Sequence, residues 1–172
     1  MRAVDAPSRP KRRQPRAGEG AVAVPELVLD SWRASGVVVT SFNMIKRGLL
    51  NPQLLALLAR VRHTNSLVIA DRGFPFWPGI ETVDLSLVDG VPTVLQVLAA
   101  VRENHHFTEV CMAKEFAREN TGATRTAFHA ALAGLKVKSE PHVEFKRRVP
   151  GAIGIIRTGD TTQYSNLVLV SG

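Results

Sequence analysis

Two residues stand where proton chemistry could be done. The stretch His63-Thr64-Asn65-Ser66-Leu67-Val68-Ile69-Ala70-Asp71-Arg72-Gly73-Phe74-Pro75 places an imidazole before an apolar run and a carboxylate directly after it. An imidazole exchanges protons near neutral pH. A carboxylate within reach can orient it or accept a hydroxyl hydrogen bond. In open α/β sheets, ligands bind in the crevice beyond the carboxyl ends of the strands, which is where Asp71 should fall. The same letters also fit a plainer account, in which His63 ends a helix and Asp71 caps a loop turn. At this point both accounts stand.

Elements that could position these residues are legible on either side. Asn51 has the character of an N-cap with Pro52 at the first helical position. Leu54, Leu55, Leu57, Leu58 and Val61 follow at helical spacing, which predicts a helix ending near His63, where its dipole would favour a cation. Leu67–Ala70 is the continuous apolar run of a strand covered on both faces. Val83–Leu87 alternates and reads as a strand, and Asp89-Gly90-Val91-Pro92 as a turn. Thr93–Glu103 is an amphipathic helix, with Val94, Leu95, Leu98 and Val101 inward. Glu109–Ala113 reads as a strand, and two helical pieces follow near 114–120 and 124–135. Lys136–Glu140 is a candidate strand, His142–Arg148 a short helix, Ala152–Ile156 a strand, 157–166 a polar loop and Leu167–Val170 the last strand. Strands alternating with helices predict an α/β single domain with a largely parallel sheet flanked by helices.

Composition narrows the function classes. A chain of 172 residues with 45% hydrophobic content can build one core. The single Cys111 lies in the apolar run Val110-Cys111-Met112-Ala113, so neither an internal disulfide nor a cysteine metal site is available, which fits a reducing cytoplasm. No apolar run approaches the ~18 residues that span a bilayer. The net charge is +7, and the first 43 residues hold seven basic against four acidic residues. Residues 1–43 include a Pro-, Arg-, Gly- and Ala-rich start that reads as a disordered N-terminal extension. Its Lys11-Arg12-Arg13 cluster could touch nucleic acid, but basic and aromatic residues do not interleave, so no nucleic-acid partner is expected. No phosphate-binding glycine loop is present. His105 and His106 are adjacent and so point apart, which is poor ligand geometry; with His129 they read as surface or packing residues, and no metal is expected.

From Met44 to Gly172 the chain resembles the D-ribose pyranase / L-fucose mutarotase family, in particular its ribose-pyranase branch. Separated blocks carry the resemblance in order: Met44-Ile45-Lys46-Arg47-Gly48, then Arg62-His63-Thr64-Asn65, then Asp71-Arg72-Gly73-Phe74-Pro75. Val83-Asp84-Leu85-Ser86-Leu87 with Gly90-Val91-Pro92 follows, then His142-Val143-Glu144-Phe145-Lys146. Ile156-Arg157-Thr158-Gly159-Asp160 with Tyr164-Ser165-Asn166 completes the set.

The resemblance implies a cofactor-free isomerase that interconverts cyclic forms of a free monosaccharide such as D-ribose. It implies His63 as the general acid/base, with Asp71, His142, Tyr164, Ser165 and Asn166 as substrate-binding residues. It also implies a ring-shaped homo-oligomer with pockets where neighbouring subunits meet. The residue types suit the reaction, because opening a hemiacetal needs its anomeric hydroxyl deprotonated and its ring oxygen protonated. Two positions depart from the pattern: Asn65 stands where the family has Asp, and Arg72 where it has Ala. Arg72 could favour an acidic or phosphorylated sugar, or simply form a surface ion pair. A non-catalytic sugar-binding relative, linked to transport or regulation, is the alternative function.

Overall fold

The computed structural model describes residues 48–172. The expected extension over 1–43 and the block Met44–Arg47 lie outside the described residues.

Helix α1 (Pro52–Leu58) starts as its letters require, with the Asn51 side chain accepting from the Leu54 amide at 2.9 Å. It buries Leu54, Leu57 and Leu58. It ends at Leu58, not near His63. The Arg60 and Val61 amides bond three residues back, and the Asn65 side chain accepts from the Arg62 amide at 2.8 Å. A short polar side chain thus offers the backbone a turn in place of another helical bond. Val61 keeps its helical spacing in sequence but is buried by this turn instead.

The chain continues through β1 (Ser66–Ala70), β2 (Thr82–Asp84), α2 (Val94–Asn104), β3 (Phe107–Ala113), α3 (Glu115–Glu119) and α4 (Gly122–Ala131). It closes with β4 (Lys136–Glu140), α5 (His142–Arg148), a 3₁₀ turn (Val149–Gly151), β5 (Gly154–Arg157) and β6 (Leu167–Ser171). Strand β2 is shorter than the alternation over Val83–Leu87 suggests. Asp84 accepts from the Ser86 amide at 2.9 Å and turns the chain, leaving Leu87 and Val88 exposed. Helix α2 opens with a capping box, in which Thr93 and Gln96 each accept the other's amide.

Six strands form one mixed, mostly parallel sheet in the order β2-β5-β1-β6-β3-β4. Strands β1, β2 and β5 are mutually parallel, as are β3 and β4, and β6 runs antiparallel to both of its neighbours. Successive side chains of β1 go to opposite faces. Leu67 and Ile69 join the α1, α2 and α4 layer, while Val68 and Ala70 join Phe145 and Val149 on the other face. Because Ile69 pairs with Leu167, and Met112 also pairs with Leu167, the start of β6 lies beside the carboxyl ends of β1 and β3. Among the described residues no helix is long and apolar enough to cross a membrane.

Candidate active site

At that end of the sheet lies a cleft of about 360 Å³, lined by Asp71 to Pro75, His142, Lys146, Asp160 to Tyr164, and Asn166. Its size is at the lower end of the range for small-molecule sites. Asp71 leaves the end of β1 half-buried. Its amide donates to Asn166 Oδ1, and Asn166 Nδ2 donates to Asp71 Oδ2, both at 2.8 Å. This two-way clasp fixes the carboxylate at the edge of the cleft. Burial pushes the Asp71 carboxyl above its ordinary value, against the opposing effect of Asn166 and the Gly73 backbone, and the Asp160 charge pushes it the same way as burial.

His142 is the first residue of α5. Its amide donates to the Glu115 carboxylate at 3.0–3.1 Å, so α3 caps the start of α5. The imidazole meets Tyr164 edge-on, with ring centroids 5.0 Å apart. Its Nε2 is buried without a hydrogen-bond partner among the described residues. Burial, then the charge of Lys146, lowers its tendency to protonate below that of an ordinary histidine. The ring is thus held neutral, able to give or take one hydrogen bond. Tyr164 has φ +54, a left-handed conformation that a tyrosine rarely adopts.

The cleft therefore brings together Asp71, His142, Tyr164 and Asn166. Ser165 sits between the last two but is fully buried and does not line the cleft. His63 is elsewhere. It lies in an exposed turn before β1, at the opposite end of the strand from Asp71. Five strand residues put roughly 17 Å between the two ends. The expectation that His63 and Asp71 share one crevice within the chain is corrected by this, and the helix-dipole argument lapses because α1 stops at Leu58. The His63 turn is nonetheless built with care. The Thr64 amide donates to Ser171 O at 2.9 Å, and Thr64 takes φ +67, costly for a β-branched residue.

Asn65 accepts the Arg62 amide through its side-chain oxygen, a task that needs an acceptor and no charge. Arg72 pairs with Asp89, and its carbonyl accepts from Arg157 Nη1 at 3.0 Å. The guanidinium thus forms the surface ion pair that the plainer of the two readings expects. Besides Arg72, five polar cleft residues were not among the expected site residues, Lys146, Asp160, Thr161, Thr162 and Gln163, and the two charged ones are Lys146 and Asp160. Lys146 stood in a recognised block, one helical turn after His142, and that i, i+4 spacing was the available signal.

Residues 44–172 match the RbsD / FucU transport protein family. The chain belongs to that family. The D-ribose pyranase of Chromobacterium violaceum is 40% identical over 129 residues, covering 75% of this chain and 98% of the relative. The D-ribose pyranase of Geobacillus kaustophilus is 39% identical, with 75% and 94% covered. Bacillus subtilis RbsD, solved in complex with D-ribose, superposes with a TM-score of 0.70 at 33% identity, covering 75% of this chain and 98% of that one. The mixed, mostly parallel six-stranded sheet is thus an RbsD / FucU fold.

Proposed function

We propose that this protein is a sugar-ring isomerase of the D-ribose pyranase type, interconverting pyranose and furanose forms of a free monosaccharide without a cofactor. The observation that carries the proposal is the cleft itself. Asp71 and Asn166 are clasped together beside a neutral His142, an array of acceptors and donors suited to a ligand made of hydroxyls. The family membership and the ribose-bound relative point the same way.

In the mechanism we infer, Asp71, His142, Tyr164 and Asn166 hold the sugar, with Ser165 contributing through the backbone of its loop. A proton leaves the anomeric hydroxyl as the ring oxygen gains one, the C1–O bond to the ring oxygen breaks, and the open aldehyde forms. Attack by a different hydroxyl, with the proton transfers reversed, closes the other ring. His63 is the proton-transfer residue. Its distance from Asp71 within one chain means that a neighbouring copy must deliver it, so the working molecule is a ring-like homo-oligomer with cleft and His63 turn facing across each contact. The exposure of His63 and the strain stored at Thr64 support this reading. We place the reaction in a reducing cytoplasm, consistent with the lone buried Cys111.

Saturation transfer between the anomeric protons of D-ribose tests the activity. Added protein should speed exchange between pyranose and furanose signals. Ribose binding with no acceleration would instead favour the non-catalytic sugar-binding alternative.

A further inference from the structure

Asp160 is the one carboxylate of the cleft that is nearly sealed from solvent, with 4% of its surface exposed. Every polar atom it owns is engaged. Oδ2 accepts from the amide of Val94, the first residue of α2, at 2.8 Å, and Oδ1 accepts from the Thr162 amide at 2.8 Å. Its carbonyl accepts from the Arg72 amide at 3.1 Å, and its own amide donates to Thr158 Oγ1 at 3.2 Å. Thr158 in turn donates twice to Ala70 O, from its amide and its hydroxyl, each at 2.9 Å. Three segments thus meet on one residue: its side chain ties the start of α2 to the loop that carries Tyr164 and Asn166, and its main chain bonds the Arg72 amide just past the end of β1 that carries Asp71. Gly159 beside it is pressed so closely on the Val88 and Val91 carbonyls that no side chain fits there.

We propose that Asp160 is a positioning residue of the cleft, fixing the Asp71 turn and the 160–166 loop in one arrangement so that Asp71, Tyr164 and Asn166 meet the same sugar. This rests on the ribose-pyranase reading for its substrate, though not for its geometry. The helix N-terminus holds a carboxylate well, because its amides and dipole both favour negative charge there. An amide could not replace it cleanly. Asn at this position has one oxygen for two amide donors, and its NH₂ would face an N–H. The charge also matters at short range: Asp71 is faced by Asp160 from the loop, by His142 and Lys146 from α5, by Tyr164, and by Arg72 beside it. Of these, Asp160 is the group that opposes Asp71 ionisation.

Asp160→Asn in the full chain tests the proposal. The titration of the Asp71 carboxyl, followed by carbon NMR, should move to lower pH than in wild type, and ribose affinity should fall about tenfold through loss of the clasp geometry. A folded variant with wild-type Asp71 titration and wild-type ribose affinity would reduce Asp160 to a helix cap and overturn the proposal. Should the variant fail to fold, amide hydrogen exchange on the wild type still decides. The Val94, Thr162 and Arg72 amides should open as one unit with a shared free energy, whereas unrelated protection would overturn the proposal. Neither the titration nor the exchange needs a sugar. If wild type binds no ribose, the ribose-pyranase reading fails while the fate of Asp160 is still settled.

Discussion

Replacing His63 with Ala should remove most of the catalytic acceleration, a loss of about 10²–10⁴ in exchange rate, while leaving ribose affinity and the fold in place. The residue is exposed and its side chain makes no hydrogen bond among the described residues, so a matching loss of thermal stability would count against the assignment. Asp71→Asn should do the opposite. Folding raises the Asp71 pKa, so the fold favours its protonated form. That contribution is present at acid pH and is lost as pH rises from the unfolded value through the folded one. At neutral pH the carboxylate is therefore a cost to the fold, and Asp71→Asn should be at least as stable as wild type while losing ribose binding. Calorimetric unfolding beside an NMR ribose titration separates the two effects. His142 works with the reverse sign. Its pKa is lowered on folding, so stability is kept above the ordinary histidine value of 6.5 and falls as pH drops below it. Unfolding scans between about pH 7.5 and 5 should show a steeper loss for wild type than for His142→Gln.

Turns and caps decide what the helices and strands present. Gly159→Ala would push a methyl into the Val88 and Val91 carbonyls, which are backbone and cannot swing aside. It should cost roughly 1–3 kcal/mol in denaturant unfolding and weaken ribose binding through the same loop. Thr64→Asn should gain about 1 kcal/mol, because Asn tolerates the left-handed conformation that Thr64 is made to hold. At this scale the sequence was readable wherever a local rule decided the outcome. Asn51-Pro52 starts α1, Thr93 starts α2 and the apolar run makes β1. It misled where a long-range partner overruled the period. Val61 continues the helical spacing, yet the Asn65 side chain and the Ser171 carbonyl turn the chain first; His63 and Asp71 flank β1, so the strand itself holds them apart. Asp160 stood in a recognised block but its role was silent, because its side-chain partners are backbone amides, one of them at the start of α2 and distant in sequence, and spacing shows side chains only. Asp71 was legible from the apolar run that ends in it, and His142, Tyr164 and Asn166 only through the blocks that carry the family resemblance.

For the whole molecule, a chain of residues 44–172 should fold and assemble as the full chain does, since the family match covers that span and residues 1–43 lie outside it. Light scattering should report a multimer for both, and a monomer at micromolar concentration would refute the ring. Subunit sharing has a sharper test. Mixing inactive His63→Ala with inactive Asp71→Asn should restore about a quarter of the sites, those pairing an intact His63 from one copy with an intact Asp71 from the next. The place of β6 reaches beyond catalysis. Among the described residues it is the last strand of the sheet in sequence order yet sits in its middle, and it alone joins β2-β5-β1 to β3-β4. Until Leu167–Ser171 has left the ribosome, a nascent chain holds two ribbons with facing raw edges and no seam between them. Closing the seam is a long-range event, which slows folding, so synthesis of this domain must be almost finished before the sheet can exist, and the interval beforehand is when a growing chain most needs shielding from its neighbours.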